Sequence, residues 1–271
     1  MYLSLNSLMW LLLFGGVTGL TAVTLLFYAL STSQNTNVPK WRARSTPTHL
    51  LVVLGSGGHT AEMFSMLRRM NFDPSKYTYR TYVVSSGDNF SAAKAVEFET
   101  EYLRHKSIDN PAESYTIVTV PRARRVHQSY LTAPFSTLNS FWACLLVLRG
   151  RHADQKPLPA SMISPYPDTI LTNGPATAVC IVLAARLLRL YNYIGGFFSS
   201  KDPSQKHGLE STHYQLRTVF IESWARVTTL SLSGKILLPF ADRFLVQWPA
   251  LEGLRAWKGM RKTEYVGMLV D

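Results

Sequence analysis

The apolar and polar positions of the chain fall into two regimes. From Leu8 to Leu30 no Asp, Glu, Lys or Arg interrupts the run. A helix rising about 1.5 Å per residue crosses a hydrocarbon core of roughly 30 Å in that length, so the pattern predicts one N-terminal transmembrane helix over residues 1–30. A cleavable signal peptide would normally begin with basic residues and carry a shorter apolar stretch. Met1 to Ser7 holds no basic side chain. After a polar linker, residues 31–47, short apolar runs alternate with longer helix-like stretches, the pattern of βαβ units around a parallel sheet. Strands are expected at His49–Leu54, Thr78–Ser85, Tyr115–Val120, Thr169–Thr172, Thr218–Ile221 and Arg243–Val246. Helices are expected at Thr60–Met70, Asn89–His105, Ser136–Leu148, Ala176–Leu190 and Leu232–Leu238, with a short one over Ala250–Lys258. Residues 48–271 thus form one α/β domain, long enough for a single doubly wound sheet and too short for two.

Two segments break the alternation and read as surface loops: Arg149–Asp168, with four prolines, and the polar, glycine-containing Gly195–His213. The cysteines, Cys144 and Cys180, sit in apolar helix-like runs as small buried hydrophobes and suggest no disulfide framework. The formal charge of +11 suits nucleic acid or an anionic membrane equally. A membrane span tips the balance to lipid and away from nucleic acid. Lys40, Arg42 and Arg44 follow that span, so the positive-inside bias leaves the globular part in the cytosol.

The sharpest local feature is Leu50-Leu51-Val52-Val53-Leu54-Gly55-Ser56-Gly57-Gly58-His59-Thr60, a buried strand entering a glycine turn and then a helix. Glycines permit positive φ and close backbone approach, and amides at a helix start favour an anion, so a diphosphate is the expected guest. A tight turn that binds nothing would show part of this pattern. A Walker A loop needs Lys where His59 stands. A dinucleotide fingerprint fits Gly55 and Gly57, but Thr60 occupies its third glycine and no acid follows the second strand until Asp88. Tyr102 and Lys106 reproduce a Tyr-x-x-x-Lys spacing too close to the turn for an oxidoreductase helix.

Together with Thr172-Asn173-Gly174-Pro175, Phe220 to Val227, Leu230 to Lys235 and Ala241 to Pro249, the glycine turn resembles the asparagine-linked glycosylation protein 14 family. That family is similar to the amino-terminal half of the bacterial enzyme MurG, a GT-B glycosyltransferase. The resemblance implies a Rossmann-like acceptor half that binds dolichyl-diphosphate-GlcNAc at the endoplasmic reticulum membrane. A soluble catalytic subunit of the asparagine-linked glycosylation protein 13 family would supply the UDP-GlcNAc site. It implies no cofactor and no metal. A membrane-tethered nucleotide-dependent oxidoreductase and a non-enzymatic scaffold are the competing readings.

Within this frame Gly55, Ser56, Gly57, Gly58, His59 and Thr60 are the diphosphate candidates. His59 is also a candidate general base, or a helix cap. Asn173 and Gly174 end a strand on the usual ligand side of an open α/β sheet, where a simple capping turn would look alike. Glu222 ends another strand, ready for a sugar hydroxyl or for an ion pair with Arg226 or Lys235. Arg122, Arg124, Arg125 and His127 precede an apolar stretch holding Phe141 and Trp142, which suits an anionic membrane surface or a core helix beside solvated charges. The tail carries Tyr265, Val266, Met268, Leu269 and Val270; in the resembling family the carboxyl tail binds the catalytic partner. Asn89-Phe90-Ser91 is a glycosylation sequon that the cytosolic orientation leaves unused. Protein from its own type of cell is expected to show no glycosidase-sensitive mass shift, and such a shift would reverse the orientation.

Overall fold

The computed structural model describes residues 5–35, 47–70, 73, 75–103, 114–124, 128–129, 131–162, 164–174, 176–198 and 216–270. Most of the linker, Lys106, Arg125, His127 and the greater part of the second loop lie outside the described residues. The chain divides into two units, residues 1–36 and 37–271. The first holds the helix α1, Leu5–Asn35, whose Trp10, Phe14, Val17 and Leu20 are exposed. Not every α1 side chain is among the described residues, and among those described no helix is long and apolar enough to cross a membrane.

The second unit is a seven-stranded sheet, with every neighbouring pair parallel, in the order β3-β2-β1-β4-β5-β6-β7. The strands are β1 (His49–Val53), β2 (Tyr79–Ser85), β3 (Tyr115–Val120), β4 (Thr169–Asn173), β5 (Arg217–Ile221), β6 (Arg243–Val246) and β7 (Glu264–Tyr265). Helices α2 (Gly58–Arg69), α3 (Asn89–Glu97), α4 (Ala133–Leu148), α5 (Ala176–Phe198) and α6 (Leu232–Leu237) connect them. All of β1 is buried, as a parallel strand covered on both faces must be. Its alternate side chains go to opposite cores: Leu51 and Val53 join α4 and α5, whereas Leu50, Val52 and Leu54 join α2 and Phe98.

Six expected strands stand within a residue of their bounds, and three expectations need correction. The helix expected over Ala250–Lys258 is only a 3-10 turn, Pro249–Leu251, because Gly253 and Gly259 take positive φ and end any helical run. Helix α5 continues through Gly195 and Gly196 to Phe198, so the second loop begins later. After Glu97, α3 widens into a π-helix over Phe98–Leu103. Glu99 on that π-helix makes a buried bidentate pair with Arg80 at 2.6 and 2.7 Å and accepts from the Tyr82 hydroxyl at 2.7 Å.

Strand β7 is an addition: Glu264 and Tyr265 pair with Leu245 and Val246 at the sheet edge. Arg243 holds it by a cross-strand contact of 2.5 Å to Glu264, and the Val266 amide donates to Val246 O at 3.1 Å.

On the opposite strand ends, His49 is 2% exposed, with Nε2 2.8 Å from the Thr81 hydroxyl and Nδ1 without a partner. Burial pulls its pKa from 6.5 to about 3. The folded protein therefore keeps the ring neutral while the unfolded chain takes up a proton below pH 6.5, so stability falls as pH drops from 6.5 towards 3. The loss is on the order of a few kcal/mol. The thermal midpoint of the full chain should decline across that window, and His49→Gln should flatten the decline.

Candidate functional site

The carboxyl ends of β1 and β4 meet where the strand order reverses, the place at which open α/β sheets bind ligands. From β1 the chain turns through Gly55-Ser56-Gly57. Of the three loop glycines only Gly57 takes a positive φ, 59°, and its carbonyl accepts from the Thr60 amide at 3.1 Å and the Ala61 amide at 3.3 Å. Helix geometry leaves the Gly58 and His59 amides without a preceding carbonyl, and no side chain caps this end. Thr60 is turned inward and fully buried: its hydroxyl bonds Gly55 O and lies 2.6 Å from the Ser91 hydroxyl. Ser91 in turn donates to Asp88 at 2.7 Å, so Thr60 braces the loop from behind rather than facing a ligand. In the sequence Asp88 stood only as the acid after the second strand and Ser91 only as the end of a sequon, although Asp88 three residues before a hydroxyl is an ordinary helix-cap signature.

At the end of β4, Asn173 is fully buried; its Nδ2 donates to His59 O at 2.9 Å, tying the two loops together. Gly174 has φ 79°, and a Cβ on it would stand 2.7 Å from Cγ of His59. The imidazole occupies the space that glycine leaves open.

Between these loops lies a crevice of about 150 Å³ lined by Gly55, Ser56, Ser85, Asn173, Thr177, Arg122 and Arg124. Arg122 is anchored by its Nε to Ser86 O at 2.8 Å. Two guanidinium-bearing side chains thus stand beside the glycine turn and the start of α5 and give the crevice a cationic rim. Arg122 and Arg124, expected at a membrane rim, line this crevice at the mouth of the sheet, while Arg125 lies outside the described residues. Phe141 packs against the core, whereas Trp142 is 62% exposed. Leu131, Phe135 and Leu138 are exposed with it, spaced to share one face at and just before α4.

On the other side of the glycine turn, a cleft of about 540 Å³ is lined by Gly58, His59, Glu62, Ser65, Ser223, Trp224 and Val270. Glu62 was not singled out in the sequence, yet it lies one helical turn from His59, with its Oε2 3.6 Å from Nδ1. Burial opposes its ionisation, but the neighbouring His59 and the bonds from the Trp224 amide, Gln247 and Ser223 together hold its carboxyl below the usual range. At 3.6 Å the His59 contact is longer than those from the Trp224 amide and Gln247, and too long for a hydrogen bond.

Glu222 is 1% exposed and its carboxylate is absorbed by structure. It accepts from Ser223 N at 3.2 Å, Ser231 N at 3.1 Å and the Ser231 hydroxyl at 3.2 Å, beside Gly234 at the start of α6. Burial pushes its carboxyl up while these bonds oppose the rise. It serves this loop, and the nearby charge of Arg226 also favours its ionised form.

In the tail, Tyr265, Val266 and Met268 are exposed, while Leu269 and Val270 pack against the core on the α2 side.

A parallel, Rossmann-like sheet with an arginine-lined crevice at its switch point defines the class of this protein. The family model described as "Oligosaccharide biosynthesis protein Alg14 like" matches residues 50–269. The chain belongs to this Alg14 family. The UDP-N-acetylglucosamine transferase subunit alg14 of Aspergillus fumigatus is 64% identical over 77% of this chain and 100% of its own length. The Schizosaccharomyces pombe protein of the same name is 39% identical, over 82% of this chain and 83% of its own. The human UDP-N-acetylglucosamine transferase subunit ALG14 is 34% identical over 82% of each.

Replacing Gly174 by Ala meets both a positive φ and the His59 ring, whereas Gly253, at φ 77°, has no atom within 4 Å of an added Cβ. Gly174→Ala should cost on the order of 1–3 kcal/mol and Gly253→Ala less. Thermal midpoints of the two variants check the order.

Proposed function

We propose that the chain is the membrane-anchored, acceptor-binding subunit of a UDP-GlcNAc transferase that adds the second GlcNAc to dolichyl-diphosphate-GlcNAc at the cytosolic face of the endoplasmic reticulum. The observation that carries this reading is the crevice at the β1–β4 switch point, where Gly55, Ser56, Arg122 and Arg124 surround a space suited to a diphosphate. The adjoining cleft beside His59 and Trp224 then receives the sugar. The names of the relatives, each a transferase subunit, support a role shared with another chain. That chain is a soluble catalytic partner of the asparagine-linked glycosylation protein 13 family, supplying the UDP-GlcNAc site.

His59 takes the acceptor proton. The acceptor hydroxyl oxygen attacks the anomeric carbon of UDP-GlcNAc, the bond from that carbon to the UDP oxygen breaks, and UDP leaves. The hydroxyl proton passes to the imidazole as the new glycosidic bond forms.

Helix α1, free of charge from Leu8 to Leu30, anchors the protein by a single pass. The exposed face of Leu131, Phe135, Leu138 and Trp142 rests on the same membrane, where apolar side chains enter the headgroup boundary. The outward side chains of the tail, Tyr265, Val266 and Met268, receive the partner at the sheet edge.

Gly58 tests the reading without backbone strain, because its φ is not positive and an added Cβ there meets nothing within 4 Å. Gly58 lines the proposed sugar cleft, so added bulk at this position narrows it. Gly58→Val should lose about tenfold or more in transferase activity of the assembled complex while keeping a near-wild-type thermal midpoint and partner binding. Wild-type turnover of dolichyl-diphosphate-GlcNAc by this variant would remove the substrate from the cleft.

A further inference from the structure

A line of hydrogen bonds runs from the C-terminal segment to Glu62, which stands beside His59. The Leu269 amide donates to Oε1 of Gln247 at 3.0 Å. A primary amide has one accepting oxygen and one donating nitrogen, so engaging the oxygen at the tail turns Nε2 the other way. There it donates to Oε1 of Glu62 at 3.0 Å and to the Glu222 carbonyl at 3.1 Å. The Trp224 amide donates to the same Glu62 oxygen at 2.5 Å. The second oxygen, Oε2, is left facing His59 Nδ1 at 3.6 Å, and that nitrogen is buried without a hydrogen-bond partner. Gln247 is 1% exposed and Glu62 8%, so neither is a surface polar group answered by water.

We propose that Glu62 is a positioning residue for His59, and that the C-terminal segment sets Glu62 through Gln247. This inference rests on the reading of His59 as the base. A carboxylate facing Nδ1 holds the proton on that nitrogen and leaves Nε2 free to accept one from the cleft, the same division of labour by which a third group orients a catalytic histidine elsewhere. The separation of 3.6 Å is that of a contact which closes when substrate arrives, as unliganded catalytic hydrogen bonds commonly do. Three elements distant in sequence, α2, the end of β6 and the C-terminal segment, thereby share one orientation. The segment proposed to receive the partner thus also governs the competence of the base.

The test uses the full chain assembled with its soluble partner, UDP-GlcNAc as donor and dolichyl-diphosphate-GlcNAc as acceptor. Glu62→Gln should lower kcat about tenfold or more while the acceptor KM stays within about twofold. His59→Ala and the double variant His59→Ala with Glu62→Gln should have the same kcat, because Glu62 acts only through the imidazole. Gln247→Met should lower kcat in the same way. Leu269→Pro, which removes the donating amide, should lower it too. Thermal midpoints and co-purification of the partner check that each complex is intact. If Glu62→Gln fails to fold, Glu62→Asp, which withdraws the charge by one methylene, is read by the same two outcomes. Wild-type kcat in Glu62→Gln would overturn the proposal, as would losses that multiply in the double variant, and wild-type kcat in Leu269→Pro would overturn the link to the tail. Full activity of His59→Ala would instead remove the base itself, a result distinct from the failure of Glu62 alone.

Discussion

The constraint on which the rest of the structure depends is the close approach of the two loops at the switch point of the sheet. β1 and β4 are parallel neighbours with no connection between them on this edge, so nothing in the chain path forces their ends together. The contact is made by His59 lying where a Gly174 side chain would be, and by Asn173 donating across to His59 O. A side chain at position 174 would push the imidazole away, and the crevice and the cleft on its two sides would change with it. The glycine turn after β1 is thus only half of the device; the other half is a glycine more than a hundred residues later.

Around that contact the polar groups divide into those that build the site and those that face it. Thr60, Ser91 and Asp88 form a buried brace behind the turn, and Glu222 is consumed by the start of α6. Both arrangements satisfy groups whose burial would otherwise cost free energy. What remains to meet a ligand is the loop backbone and two arginines on one side, and the imidazole with its neighbouring carboxylate on the other. An anionic group and a sugar hydroxyl ask for those two chemistries side by side, which is why the proposed acceptor suits the sheet end as a whole better than any one residue in it.

The C-terminal segment has two faces with different tasks. Leu269 and Val270 pack against the fold's own core and its amide reaches Gln247, while Tyr265, Val266 and Met268 stand outward at an open sheet edge. A two-residue strand has little stability of its own, so its place depends on the pairing with β6 and the contact between Arg243 and Glu264. Such an edge is suited to being completed by another chain.

The sequence by itself determined the elements and the turn. Apolar runs of four to seven residues flanked by helix-like stretches leave few alternatives to a parallel sheet, and clustered glycines after a buried strand announce a tight approach of backbone to ligand. The tertiary structure alone decided which polar side chains face the site. Thr60 and Arg122 each sit in motifs that read plausibly for a different role, and Glu62 and Gln247 carried no local mark that set them apart from surface residues. Periodicity is a property of neighbours along the chain, whereas the direction of a polar side chain at a sheet end depends on which strand lies alongside. That order, β1 beside β4 and β6 beside β7, is fixed by packing between distant segments, and β7 is too short to have a period at all.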